Sequence, residues 1–423
     1  MFLVSRNPHI FSNGYQIKFS EDPCTECGIG YIVPKWVEEN PSNSDIAKIY
    51  GSLKNLPTTT FILPLKCDKI DVVKKELSNT HPEVLLFLSK IREISVREVN
   101  DDLNDTSLSQ ISISSEADAL TRKDIGAESY TLHLSADEDK TAEQHCSYYI
   151  WKQHFPVKPE CYVQKREGID QWVIMLAFPH GQRLSKGVGS PGVYAFLPTE
   201  MATNFPFIIQ ADFLLSSSRE SILLDSQWNR GILECVPSAF INAFLTLVKL
   251  TESAPVFALP PVFKFLPLNH SSIELMDSVR LSIRKKLIDV DIVPCETCST
   301  VKSFGKPTEV YRLNSAFWSI INRAVKLGLD VPNISSHGTN ILNSYFDCEA
   351  YDDVLGFLGI GFVDSEWYGR CIQGSDLVKL LPEDIYFDLL IFVAQNWNDK
   401  FVGTKNGAYT TCKVCWWGWC QDL

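Results

Sequence analysis

The chain has 423 residues, with 39 Lys and Arg against 51 Asp and Glu, and a formal net charge of −12. Hydrophobic residues make up 45% and charged residues 21%, near globular averages, so most of the chain can bury a core and the length suggests two or three domains. The acidic balance argues against direct nucleic-acid binding, because phosphate backbones demand clustered Lys and Arg; Lys74-Lys75 and Arg284-Lys285-Lys286 read as solvated helix faces.

The start, Met1-Phe2-Leu3-Val4-Ser5-Arg6, lacks a basic stretch followed by an apolar one, as a secretory leader requires. No apolar run approaches the ~18 residues that cross a bilayer. The expectation is an intracellular protein, in nucleus or cytoplasm, with no membrane partner. Its 13 cysteines are then expected as thiols. Three CxxC pairs occur, Cys24/Cys27, Cys295/Cys298 and Cys412/Cys415, with Cys420 near the last. They lie far apart and lack a His at finger spacing, so no metal site is expected; a zinc module through these pairs stays as an alternative.

In chain order, residues 14–19 alternate as a strand, 30–33 read as a short second strand stopped at Pro34, and 58–66 as a third. Asp68 caps a predicted helix to Leu77, and Pro82-Glu83 opens another to Leu88. A strand is predicted over 91–98. The Asp, Asn and Ser-rich stretch 99–127 reads as a linker or long hairpin loop with a strand at Leu108–Ser114. Strands at 129–135, 146–153 and 171–178 are spaced as an antiparallel meander. The run Lys186-Gly187-Val188-Gly189-Ser190 reads as a loop; it fits no phosphate-binding pattern. Strands at 193–197 and 206–214 precede a helix capped by Asp225, and Pro237 starts a further one. The Pro-rich stretch 255–267 reads as a linker. Helices are predicted over 315–327 before Gly328, 349–358 before Gly359, and 382–397. The end, 407–423, contains Trp416-Trp417-Gly418-Trp419 and reads as an atypical tail.

Phe2-Leu3-Val4 followed by Phe11-Ser12-Asn13-Gly14-Tyr15-Gln16-Ile17-Lys18-Phe19 resembles the ATPase region of plant NO VEIN-type and sacsin-type proteins, of the histidine kinase/Hsp90-like (GHKL) superfamily. Thr58-Thr59-Thr60-Phe61-Ile62-Leu63-Pro64-Leu65-Lys66 resembles that superfamily's late GT-x-I-x-L-x-L-K strand, with Thr58 where the family often has Gly. Gly192-Val193-Tyr194-Ala195-Phe196-Leu197-Pro198, then Phe205-Pro206-Phe207 and Asp212 to Glu220, resembles the sacsin/NO VEIN continuation, and Ser218-Arg219-Glu220 is similar to a triplet of the Hsp90 middle domain. Ser335-Ser336-His337-Gly338, Leu355-Gly356-Phe357-Leu358-Gly359 and Glu366-Trp367-Tyr368-Gly369-Arg370-Cys371 extend the NO VEIN-type resemblance to about residue 401.

The resemblance implies an α+β fold. Residues 1–80 would be the C-terminal part of a GHKL α/β sandwich without its N-box and Gly-rich phosphate loop, and 81–250 a sacsin/Hsp90-middle-like α/β domain. A linker would follow at 251–267, then a helical region at 268–400 and the tail at 401–423. It implies a fragment of an ATP-binding, chaperone-like plant protein with a role in development and proteins as partners. Thr59 would contact adenine and Arg219 the γ-phosphate, with ATP and Mg as cofactors of the intact protein. The chain alone would be inactive and hold neither. A nucleotide-independent protein-interaction module is the alternative of a different class.

Overall fold

The computed structural model describes residues 1–25, 27–38, 41, 42, 44, 58–78, 80–99, 106–138, 144–181, 192–250, 260–296, 303–328, 339–374 and 381–402. They form a mixed α+β fold in two compact units. The first comprises Met1–Pro82, Ile94–Ile111 and Ala136–Glu143; the second comprises Glu83–Glu93, Ser112–Ser135 and Gln144–Leu423.

The first unit is built on an antiparallel sheet of β1 (His9–Ser12), β2 (Tyr15–Lys18), β3 (Lys35–Trp36) and β4 (Thr59–Ile62), in the order β3-β2-β1-β4. Asn13 and Gly14 join β1 to β2 with φ of 48° and 87°, the paired left-handed residues that a two-residue hairpin loop requires. The strand expected at 30–33 is absent: Tyr31 has φ 61°, its amide donates to Ser20 O and its hydroxyl to Ser5 O. Those contacts to the preceding loop fix its backbone, and pairing with β2 begins only at Lys35. Helix α1 (Ile70–Ser78) follows a 3-10 turn that contains Asp68, so Asp68 is not its cap. Lys74 of α1 pairs with Glu98 of β5 (Glu93–Val99) at 2.6 Å.

In the second unit a sheet runs β11-β10-β12-β9-β8-β7-β6. Its strands are β6 (Thr106–Arg122, whose first residues lie in the first unit), β7 (Ala127–Glu138), β8 (Gln144–Pro156), β9 (Gln171–His180), β10 (Val193–Ala195), β11 (Leu197–Pro198) and β12 (Ile208–Gln210). The stretch read as linker or loop is thus mostly one 17-residue strand. Its Ser residues suggested a loop, but cross-strand partners decide: Ser112 Oγ meets Ser135 Oγ at 2.9 Å and Ser114 Oγ donates to His133 O.

One face of this sheet packs on α2 (Gln227–Leu250). Tyr149, Trp151, Leu176 and Phe178 share a core with Trp228, Ile232, Val236, Phe240 and Phe244. Pro237 lies inside α2 and does not start a second helix. A helix-interior proline costs ~3 kcal/mol, but each buried aliphatic or aromatic side chain returns about 1.5–3 kcal/mol, and both halves of α2 are lined with them. Over Gln227–Lys249 this helix is long and apolar enough to cross a membrane, at mean hydropathy 1.7; here its apolar side chains fill the core.

The described part of the stretch read as a linker is also core. It carries α3 (Pro260–Phe263), and Val262, Phe263 and Leu266 are buried beside α2. Helix α4 (Glu274–Leu287), which carries the expected helix face at Arg284-Lys285-Lys286 but has no bounds legible in the sequence, adds Met276, Val279, Ile283 and Leu287 to the same core. Two short pairs follow, β13 (Val293–Cys295) with β14 (Ser303–Gly305), and β15 (Val310–Tyr311) with β16 (Asn340–Ile341). Helices α5 (Ser315–Lys326), α7 (Ser365–Gly374) and α8 (Glu383–Gln395) enclose a second core around Phe317, Trp367, Tyr368 and Phe392, whereas α6 (Asp352–Leu358) packs into the first. The expected helical region at 268–400 therefore serves two cores. The expected C-cap glycines hold: Gly328 and Gly359 have φ of 76° and 78°. The Gly-rich run, Ser335–Gly338 and the tryptophan-rich tail lie outside the described residues.

Candidate functional site

Thr59 belongs to the first unit and Arg219 to the second. The alternation of β4 buries Thr60 and leaves Thr59 exposed. Thr59 Oγ1 lies 2.8 Å from Ser12 Oγ, its cross-strand neighbour.

Arg219 lies at the tip of a tight turn and not on a helix. Leu215 bridges Ile222, the Ser216 amide donates to Ser221 O at 2.9 Å, and the Arg219 amide donates to Ser216 O at 3.0 Å. Arg219 has φ 66°, a left-handed conformation that a non-glycine residue holds only where its surroundings impose it. The turn's own bonds close it at Ser216, and the base of the hairpin is held by Asn229 on α2, which is fully buried. Its Oδ1 accepts from the Leu214 amide, and its Nδ2 donates to Leu214 O and Leu223 O, all within 2.8–2.9 Å. One carboxamide thus ties both arms of the hairpin to the core helix. The Arg219 side chain is exposed and meets no carboxylate among the described residues.

A cleft of about 820 Å³ lies on the face of the second unit's sheet that turns away from α2. Its floor follows the strand register. Gln210 of β12 faces Met175 of β9, Met175 faces Lys152 of β8, and Lys152 Nζ reaches Glu128 of β7 at 3.1 Å. One wall is the segment after a 3-10 turn at Pro82–Leu85, with Phe87 packed edge-on to Tyr194 at 5.3 Å. That segment is anchored by buried Glu83, which accepts from the Tyr148 hydroxyl. Phe196 forms the opposite rim, and Trp172 and Trp228 close one end.

The charges in the cleft neutralise one another. Arg92 meets Glu116 at 2.5 Å, Lys152 meets Glu128, and Asp212 meets Arg166 at 2.7 Å. Burial, with the Glu116 and Glu128 carboxylates, pushes the Tyr130 phenol above its usual range. Phe196 has φ 66° and is 53% exposed. Its amide donates to Gln210 Oε1 at 2.7 Å, and that bond holds the ring at the rim.

Sequence reading missed Gln210 and Asn229. A polar residue in a strand-like or helical run carries no sign that its amide will be buried and hydrogen-bonded to backbone. Among the described residues no group of three His, Cys, Asp or Glu could hold a metal ion. Cys24 is half-buried and Cys27 exposed, and Cys295 is buried with its thiol pushed up to about 11 by burial. Cys298 and the last CxxC pair lie outside the described residues.

No family model matches the chain, and no solved structure matches it. A curated relative does: Protein NO VEIN of Arabidopsis thaliana is 27% identical over 270 residues, which is 60% of this chain and 9% of that protein. The chain therefore spans about a tenth of that relative's length. At the level of its sequence this chain is a distant, NO VEIN-like relative of a plant protein.

Proposed function

We propose that the chain is a segment of an Hsp90-like, ATP-dependent, chaperone-like protein of the NO VEIN/sacsin type, in which Arg219 reaches the γ-phosphate of ATP. The observation that carries this is the presentation of Arg219: a guanidinium free of carboxylates among the described residues, at the tip of a turn tied to the core helix. A planar guanidinium offers paired donors to phosphate oxygens and stabilises charge as it moves. In this reading the first unit is part of a GHKL sandwich, Thr59 contacts adenine, and Mg accompanies ATP. The setting is the nucleus or cytoplasm of a plant cell, the partners are proteins, and the process is development. The test is ATP hydrolysis by the intact protein and its Arg219→Ala variant. Loss of ~10³-fold or more in rate is expected for an arginine of this role; hydrolysis at the unmutated rate would overturn it.

A second reading, a nucleotide-independent protein-interaction module, is favoured by the first unit's sheet. Phe61, Ile10, Ile17 and Trp36 are successive cross-strand neighbours over all four strands, and Phe61, Trp36 and adjacent Tyr15 are exposed. An apolar row of this kind is typical of interaction surfaces. The two readings separate on nucleotide response. MgATP raises the thermal midpoint of the intact protein under the first and leaves it unchanged under the second.

A further inference from the structure

We propose that the cleft on the outer face of the second unit's sheet binds a small, neutral aromatic compound that carries a carbonyl-type acceptor. Its volume of about 820 Å³ falls in the range of small-molecule sites, ~300–1,000 Å³. The charge pattern selects against ions. Both lining cations, Arg92 and Lys152, already hold a carboxylate, and all three lining carboxylates, Glu116, Glu128 and Asp212, already hold a cation. A charged ligand would have to break one of these pairs.

Of the uncharged polar side chains in the lining, Ser89, Tyr130, Gln171 and Gln210, two present donors on the sheet floor. Gln210 is 97% buried by its 3% exposure and lines the floor. Its Oε1 is spent on the Phe196 amide, so its Nε2 is the free end, and it has no acceptor among the described residues. The Tyr130 hydroxyl of β7 likewise has none. A ligand that displaces water from these two donors without supplying an acceptor would strand them at ~1–3 kcal/mol each, so a ligand with an acceptor is favoured over apolar contact alone. The rest of the lining selects an aromatic body. Phe87 and Phe196 stand on opposite rims, and Met175 lies between Gln210 and Lys152 in the floor row. Phe196 keeps its rim position through a left-handed backbone that a bulky residue rarely adopts, and such stored strain concentrates at binding sites. This inference rests on the cleft and is independent of Arg219 and of nucleotide.

The test is calorimetric and saturation-transfer NMR titration of the whole chain with benzamide and N-acetyl-tryptophanamide, with benzoate as the charged control and no nucleotide present. Both neutral probes should bind, N-acetyl-tryptophanamide more tightly, and benzoate should not. Tyr130→Phe removes one hydroxyl without changing shape and should weaken binding about fivefold, the worth of one neutral hydrogen bond. Gln210→Glu keeps the acceptor for the Phe196 amide but loses the donor and should abolish binding. Phe196→Ala should weaken it about tenfold or more through the lost ring contact. The proposal is overturned if neither neutral probe binds below about 10 mM, if benzoate binds as well as benzamide, or if both Tyr130→Phe and Phe196→Ala bind like the unmutated protein.

Discussion

Gly231 lies in the first third of α2, where glycine normally weakens a helix by ~1 kcal/mol relative to alanine. Replacement by alanine should therefore stabilise, if nothing else were near. Here a Cβ at position 231 would stand 2.4 Å from Trp172 Cη2, 2.7 Å from Cys161 Sγ and 2.8 Å from Trp172 Cζ2. None of these is the loose end of a flexible chain. Trp172 is 2% exposed and packed edge-on against Trp228 with centroids 5.6 Å apart, and Cys161 is also buried. The close approach of α2 to β9 depends on the missing side chain. Overpacking a core by one methyl costs about 1–3 kcal/mol, and three short contacts put this site at the upper end. Subtracting the helix-propensity gain leaves a net loss of about 2 kcal/mol, or about 4–8 °C in melting temperature for a unit of this size. Scanning calorimetry of Gly231→Ala measures it directly. Gly231→Ala combined with Trp172→Phe should lose less than the sum of the two single changes, because they share one contact. A rise in melting temperature for Gly231→Ala, or strict additivity in the double variant, would refute this account of the packing.

Three further outcomes follow from particular groups. The Asp347 side chain is 2% exposed and accepts from Arg312, the Leu313 amide and Trp318 Nε1 at 2.7–2.9 Å; Asp347→Ala leaves Arg312 with Asp352 alone, at 2.8 Å, and leaves the Leu313 amide and the Trp318 indole without this acceptor, so urea unfolding should show a loss of about 1–3 kcal/mol. Burial pushes the thiols of Cys146 and Cys371 up to about 12 and those of Cys235 and Cys295 to about 11, so at pH 8 iodoacetamide should label exposed Cys27 and Cys67 in the native protein and these four only after unfolding, read by peptide mass spectrometry. His180 is harder to protonate in the folded chain, first through burial and then through His133. Its contribution is complete above the ordinary imidazole value of 6.5 and is lost as pH falls through the lowered folded value, so stability should decline as pH falls below about 6.5, and less steeply in His180→Gln.

The fold was legible where local chemistry and tertiary context agree. Alternation placed β7, β8 and β9, and Gly328 and Gly359 marked helix ends. It failed where long-range packing outvotes local preference. Pro237 signals a helix start but is carried inside α2 by burial on both sides of it. The Ser-rich run of β6 signals a loop but pairs through its hydroxyls with β7. Pro260 to Leu266 reads as a linker because of its prolines, yet Phe263 and Leu266 fill the main core. Of the site residues, Thr59 and Arg219 came from resemblance, which gives identity but no geometry. The hairpin that carries Arg219 is tied at its base by Asn229, ten residues downstream in the first turn of a helix, a link that has no local pattern. The cleft is assembled from β7, β8, β9, β12 and the segment after Pro82, so no contiguous stretch could announce it.

The Asn229 clamp has a thermodynamic consequence. A loop that holds itself together only by its own short pairing must be ordered again by each ligand, and ordering a side chain and its backbone costs about 0.5–1.5 kcal/mol per immobilised group. In this hairpin the backbone is ordered beforehand by a helix that cannot shift without opening the core. A ligand met by Arg219 would face only the rotamer entropy of one long side chain. The same tie works in reverse. Any load on that guanidinium would be transmitted as torque on the first turn of α2, so the hairpin acts as a stiff lever arm joined to a helix of the main core.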